Sequence, residues 1–338
     1  MLHTDTEILD FPYAHYSMSK EDLMKLFREL PTATLGEKWI NKELSPMIKL
    51  VPEIKNMARP GCWVTGDIIT FAFGDAENKF FNLTSYFTEQ CKLICRRGTE
   101  LETPLEIFMR ERPRMARRIL ERGEKLSADT IYQEFKYLNT KPCSEFNPAW
   151  LVQIIKFLRA EGYEIHRMLD MSAGRASRMI ACMSLGVDYV GTDPNDCVPY
   201  ADIAKFYKAM GKAGNTAVVH INGFLECKEL DGEAPFDLMF SSPPYFDVEI
   251  YSTAAEDSVK QNPSMDGWLE NFMLPSMNRI SRLLRPGGIM AINIDNPLFQ
   301  DKDYVSPILK HSMPDMTYIG MFNIFTKLYF STWCWQKK

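Results

Sequence analysis

Two textures of hydrophobic patterning divide this chain. From about residue 145 onward, short apolar runs alternate with longer stretches that repeat at helical spacing. The runs fall near 167–171, 188–192, 217–221, 236–240 and 288–294. Short runs separated by helical stretches such as Trp268 to Leu284 predict strands joined by helical crossovers, as a doubly wound α/β sheet demands. The tail, Met316 to Phe322 and Lys327 to Trp335, predicts two further strands. Residues 1–140 lack this alternation. They mix short helical patterns with a hairpin expected around Gly61 to Phe73. The pattern therefore predicts two domains, 1–140 and 145–338, the first mixed α/β or mostly helical.

Chemistry collects at the ends of the predicted strands. Ser242-Pro243-Pro244-Tyr245 directly follows the run Phe236 to Phe240. Proline fixes φ and removes a donor, so Ser242 Oγ and the Pro243 carbonyl can both face the hydrogens of an amino group. The ring of Tyr245, with Phe246 beside it, offers a stacking surface for a planar substrate. The alternative is a rigid turn followed by a packing tyrosine. Upstream, Met168-Leu169-Asp170-Met171-Ser172-Ala173-Gly174 runs from a strand into a small-residue turn, and a helix-like stretch reaches Leu185. A second strand then ends at Asp193, 19 residues beyond Gly174. This is the layout of a nucleotide-binding βαβ unit, with the acid placed to accept from ribose hydroxyls. Ala176 stands where a second glycine is usual, which disfavours a pyrophosphate and suits a nucleoside ligand without phosphates.

Together the two elements resemble the S-adenosylmethionine-dependent amino-methyltransferases, which include DNA adenine-N6 and cytosine-N4 enzymes. The resemblance covers roughly residues 145–338. Its nearest pattern is that of phage and large-virus methylases with the run Ser242-Pro243-Pro244-Tyr245-Phe246-Asp247-x-Glu249-x-Tyr251. It implies a Rossmann-like class I methyltransferase sheet ending in an antiparallel hairpin, with S-adenosylmethionine as cofactor. It places cofactor contacts at Asp170, Ser172, Gly174 and Asp193, adenine contacts at Asn222 and Phe224, and the methionine end at Phe146, Asn147 and Pro148. It makes Ser242 to Phe246 the catalytic segment. Arg285-Pro286-Gly287-Gly288 resembles the turn into the fifth strand. In that family Ser in the first motif position leans towards cytosine N4, and Asp or Asn towards adenine N6.

The expected reaction is methyl transfer to an exocyclic amine of a nucleobase, favouring DNA over RNA. The alternatives are an RNA amine methyltransferase and a non-catalytic nucleic-acid clamp. A duplex target would have to be flipped out. The motif separation, about 70 residues, leaves no room for an inserted reader, so residues 1–140 are the candidate reader; a lid or oligomerisation domain is the alternative. The formal charge of −5 sits awkwardly with a polyanionic substrate. Local clustering matters more than the sum. Arg96, Arg97, Arg110, Arg114, Arg117 and Arg118 are candidate backbone contacts, interrupted by acids such as Glu111 and Glu121, so a salt-bridged helix is the competing reading. The 8 cysteines lack paired metal spacing, which predicts free thiols, no metal site and a reducing intracellular setting, cytoplasmic or nucleoid/nuclear. No run is long enough to span a membrane. An oligomer or partner subunit stays open. Trp333-Cys334-Trp335 is expected to pack in the tail hairpin.

Overall fold

The computed structural model describes residues 18–35, 37–43, 67–73, 76–97, 102–136, 138, 143, 145–210, 214–244, 246, 249–251, 261–295, 303, 305–325 and 329–338. In chain order the elements are α1 (Lys20–Glu29), β1 (Glu37–Glu43), β2 (Asp67–Phe73), α2 (Asn82–Leu93), β3 (Arg96–Arg97), α3 (Pro104–Glu121), α4 (Ala128–Lys136), α5 (Pro148–Ala160) and β4 (Arg167–Asp170). There follow α6 (Ser177–Leu185), β5 (Asp188–Thr192), α7 (Tyr200–Lys208), β6 (Ala217–His220), α8 (Glu229–Glu233), β7 (Phe236–Ser241), β8 (Glu249–Ile250), α9 (Met265–Trp268), α10 (Leu274–Leu283), β9 (Leu284–Asn293), α11 (Val305–Lys310), β10 (Met316–Phe325) and β11 (Tyr329–Lys337). A π-helical turn, Leu269–Met273, joins α9 to α10.

The main sheet has the order β1-β2-β10-β11-β9-β7-β4-β5-β6. Strands β6, β5, β4, β7 and β9 run parallel, and β11 lies antiparallel between β9 and β10. This is the class I methyltransferase sheet with its antiparallel hairpin, extended at the β10 edge by β2 and β1. Of the hairpin expected at Gly61 to Phe73, the Asp67–Phe73 part is β2, paired with Glu37–Glu43, and 61–66 lies outside the described residues.

Alternation along the strands sorts side chains onto two faces. Met168, Tyr189, Leu238, Phe240, Ile289, Ala291 and Cys334 pack under α5, α6 and α7. Leu169, Val190, Met239, Met290, Ile292, Trp333 and Trp335 pack under α9, α10 and α11. Both faces of the central strands are covered, which is why β7 is buried along its whole length and reads as an apolar run. The tryptophans of β11 are packing residues, as expected; Trp333 Nε1 donates to the Ile294 carbonyl at 2.9 Å.

The boundary expected near residue 140 does not separate two cores. Leu23, Leu26 and Phe27 of α1 and Leu83 and Cys91 of α2 share one cluster with Ile154, Ile180, Ile203 and Tyr207. Phe27 stacks on Tyr207 at 4.6 Å, and Tyr207 Oη donates to the Leu83 carbonyl at 2.8 Å. Each such apolar side chain contributes about 1.5–3 kcal/mol by leaving water, so α1 and α2 form a layer of the unit built on the main sheet. A separate cluster is confined to α3 and α4: Phe108, Met115, Ile119, Ile131 and Phe135. The cysteine expectation is also corrected. Cys91 on α2 and Cys197 after β5 form a disulfide, a pairing across 106 residues that local spacing does not signal. Among the described residues no cluster of His, Cys, Asp or Glu could hold a metal, and no helix is long and apolar enough to cross a membrane.

The Arg285-Pro286-Gly287-Gly288 turn locks the far end of the sheet. Asp237 accepts from the His166 and Arg167 amides, each at 2.7 Å, and from Arg285 Nε. Burial opposes its ionisation, but Arg285 and the two amides prevail and hold its carboxyl below the usual range. A Cβ on Gly288 would lie 2.9 Å from the Arg285 carbonyl oxygen and 3.1 and 3.2 Å from those of Phe236 and Asp237. Backbone cannot yield as a side chain can. Gly288→Ala is therefore expected to cost about 1–3 kcal/mol through overpacking, seen as a lower thermal midpoint. An unchanged midpoint would refute this.

Candidate active site

The C-terminal end of β4 carries a buried hydrogen-bond hub. Asp170 is fully buried and accepts from Arg178 Nε (2.6 Å), Arg178 Nη2 (3.3 Å), Tyr189 Oη (2.8 Å), Ser241 Oγ (2.8 Å) and the Ser172 amide (3.2 Å). Burial alone would lower the pKa of Arg178. The charge and hydrogen bonds of Asp170 outweigh that and hold it raised. Tyr189 reaches Asp170 because Gly191 leaves room; a Cβ there would lie 2.9 Å from the ring. The hub thus clamps the start of α6 to β4, β5 and β7.

Over this hub lies the glycine turn. The Ala173 amide donates to the Thr192 carbonyl at 2.9 Å. Gly174 has φ +56° and Ala176 φ +66°. Ala176 therefore adopts the conformation that glycine holds without strain, with its methyl buried. The departure from the usual glycine pattern is one of side chain, not of backbone. Asp193, just past β5, accepts from the Gly174 amide (2.8 Å) and the Asn195 amide (2.9 Å). Burial raises its carboxyl to about 6, although both amides pull the other way. The Tyr200 hydroxyl, which donates to the Gly174 carbonyl, also lies against this carboxylate, which has about four lone-pair sites in all.

The catalytic-type segment leaves β7 beside this turn. Ser172 Oγ lies 2.9 Å from Ser241 Oγ and donates to the Ser242 carbonyl at 3.0 Å. Pro243 is buried, while Ser242 and Pro244 are partly exposed. Tyr245 lies outside the described residues. The Phe246 amide donates to the Pro244 carbonyl at 3.0 Å, and Phe246 itself sits at φ +42°. Left-handed non-glycine residues cost on the order of 1–3 kcal/mol and cluster at functional sites. The Phe246 ring is 6 % exposed and belongs to the core, so it packs beneath the loop instead of presenting a stacking face.

No protein-family model and no curated protein matches the chain. Solved structures do resemble it. A methyltransferase from Pyrococcus furiosus has 15% identity and a TM-score of 0.36, over 57% of this chain and 83% of that one. An rRNA guanine-N2 methyltransferase from T. thermophilus, solved with AdoMet and guanosine, has 18% identity and a TM-score of 0.36, over 58% of this chain and 44% of that one. A magnesium protoporphyrin IX methyltransferase from Synechocystis, with bound SAM, has 11% identity and a TM-score of 0.39, over 56% and 79%. The fold assignment rests on the strand order, not on these likenesses.

The remaining expected contacts divide. Asn147 is buried; its Oδ1 caps α5 by accepting from the Ala149 amide (3.0 Å), and its Nδ2 donates to the Glu77 carbonyl (3.1 Å). Pro148 is the buried first residue of that helix. Phe146 stands edge-on to Trp150 and Phe240, with the Arg178 guanidinium 5.5 Å from its ring centre, so it borders the glycine turn. Asn222 follows β6 and is partly exposed. Phe224 is 2 % exposed, its ring lying against Arg279, and is a core residue where a stacking partner was expected. Asp170, Asn147 and Phe224 therefore build the site from behind, their faces taken up by the protein itself.

Residues before 146 reach the site directly, which the sequence did not reveal. Backbone pairing of β3 with β8 sets Arg96 against Ile250 and Arg97 against Glu249, shortly after the Ser242 segment in the chain. Arg175, in the glycine turn, reaches towards the early part of the chain: its guanidinium lies 3.3 Å from Cys95 Sγ, 3.5 Å from the Cys143 carbonyl and 3.8 Å from Glu145. Glu145 also pairs with Lys92 at 2.5 Å. On α3 the arginines are mostly ion-paired: Arg110 with Glu102 and Glu111, Arg114 with Glu111 at 3.6 Å, Arg118 with Glu134 at 3.7 Å. Arg117 is exposed. The exposed pairs of Arg110 and Arg114 are worth about 0–1 kcal/mol each, whereas Glu134 is buried.

Proposed function

We propose that this chain transfers a methyl group from S-adenosylmethionine to an exocyclic amine of a nucleobase, cytosine N4 or adenine N6 in DNA. The observation that carries the proposal is the hydroxyl bridge of Ser172. It joins the glycine turn and the Ser242 segment into one hydrogen-bonded unit at neighbouring strand ends, where open α/β sheets bind ligands. The residues fit a nucleoside cofactor: Asp193 offers acceptors to ribose hydroxyls, and the buried Ala176 methyl fills the cradle a second glycine would leave.

S-adenosylmethionine, held by the glycine turn and Asp193, would supply an electrophilic methyl for the amine lone pair and would keep the electron pair of the broken S–C bond on its sulfur. Ser242 Oγ and the Pro243 carbonyl hold the amino hydrogens and draw the lone pair out of conjugation. Tyr245 stacks on the base. One amino proton leaves to solvent. Positioning supplies most of the effect.

The decisive test is incubation with methyl-labelled S-adenosylmethionine and duplex DNA, single-stranded DNA or total RNA, followed by digestion to nucleosides. N4-methylcytosine or N6-methyladenine from DNA supports the proposal. Label in RNA alone moves the target to RNA. Cofactor affinity should also depend on pH. Ribose hydroxyls donate to the ionised Asp193 carboxylate, so protonation near pH 6 competes with binding. The dissociation constant measured calorimetrically should rise about tenfold per unit below that point, and Asp193→Asn should flatten the curve. A flat curve in the unaltered protein would remove Asp193 from the ribose site.

A further inference from the structure

A polar ladder crosses the sheet on the side of the catalytic segment away from the glycine turn. Asn293, Asn323, Ser331 and Thr332, on three adjacent strands, are all buried. Asn293 Nδ2 donates to Thr332 Oγ1 (3.0 Å) and to the Ser331 carbonyl (3.2 Å). Ser331 Oγ donates to Asp295 Oδ2 (3.1 Å), with Asn323 Oδ1 3.4 Å away. Burying polar groups where apolar ones would serve is costly unless each finds a partner. The ladder ends in one partly exposed carboxylate, Asp295.

That carboxylate is rigidly carried. Past the end of β9, the Ile294 amide donates to the Ser331 carbonyl (3.0 Å) and the Ile294 carbonyl accepts from Trp333 Nε1 (2.9 Å). Register puts it beside the catalytic segment. β7 and β9 are parallel neighbours whose last pair is Ser241 with Ile292. Ser242-Pro243-Pro244 and Asn293-Ile294-Asp295 leave the sheet at the same level.

The chemistry calls for a negative charge there. Methyl transfer moves positive charge from sulfur to the target nitrogen, and Ser242 and the Pro243 carbonyl oppose it only with dipoles. Asp170 is neutralised by Arg178, and Asp193 lies on the glycine-turn side. We propose that Asp295 is a further catalytic residue, whose carboxylate accepts a hydrogen of the target amine and opposes the charge that develops on its nitrogen. This rests on the methyl transfer proposed above. It also favours amines that become cationic on attack over nucleophiles that arrive as anions.

The test is single-turnover methyl transfer by the full chain with labelled S-adenosylmethionine and the nucleic acid that accepts label. Removing a preorganised group of this kind typically costs about 10²–10³ in rate. Asp295→Ala should lose that much; Asp295→Asn, which keeps an acceptor oxygen but not the charge, should recover only part. Cofactor affinity should stay unchanged in both, and Asp295→Asn, whose amide oxygen still accepts from Ser331, should keep its thermal midpoint while losing rate, which a structural role would not allow. Ser331→Ala, which removes the hydroxyl that Asp295 accepts from, should slow transfer several-fold. Asp295→Asn at the full rate, or losses that follow cofactor affinity, would overturn the proposal; if Asp295→Ala fails to fold, Asp295→Asn decides. No label from the unaltered protein on any nucleic acid would overturn this inference and the proposed function together.

Discussion

Asp170→Ala is expected to destabilise the folded chain by about 3–5 kcal/mol, the cost of leaving a buried cation without its counter-charge. The Arg178 side chain is 7% exposed and that of Asp170 0%, so water cannot take over the lost contacts. Tyr189 Oη and Ser241 Oγ would lose an acceptor at the same time. Because the Ser172 amide is held by the same carboxylate, the glycine turn would loosen as well. Denaturant unfolding measures the first effect and S-adenosylmethionine titration the second. Asp170→Asn should fall between, since the amide keeps the shape and one acceptor but not the charge. A loss below about 1 kcal/mol for the alanine variant would mean that the hub is not what holds this end of the sheet.

Tyr245→Ala should cut turnover through lost stacking on the base. Stacking on a base is worth about 1–3 kcal/mol, which converts to roughly 5–150-fold in turnover. The cofactor does not depend on this ring in the proposed arrangement, so its affinity should hold. Tyr245→Phe keeps the face of the ring and should retain most of the activity. Equal losses of turnover and cofactor affinity in Tyr245→Ala would sink the stacking role.

The later half of the fold, from about residue 145, was legible because its signals are local. Apolar runs mark β4, β5, β6, β7 and β9 to within a few residues, and helical periodicity marks α6 and the α9–α10 segment. The Ser242 segment and Asp193 were legible for the same reason: each sits at the end of such a run. The supporting groups were not. Arg178, Tyr189 and Ser241 act on Asp170 from three different elements, at separations of 8, 19 and 71 residues, and no period connects them. Asp295 and Ser331 meet only because β9 and β11 are neighbours in the sheet. The placement of α1 and α2 was equally hidden. Their amphipathic pattern says that one face is buried but not against which core, and the partners in α5, α6 and α7 lie far along the chain.

The pairing of β3 with β8 has a bearing on how this protein could be altered. Specificity in modular enzymes is changed by exchanging one cassette for another. Here the early part of the chain shares main-chain hydrogen bonds with the segment that follows Tyr245, and Arg175 ties the glycine turn to Cys95, Cys143 and Glu145. A foreign segment in place of residues 82–145 would break these contacts and disturb the frame of the site itself. New specificities in this scaffold are reachable by point changes around an intact frame, not by transplantation.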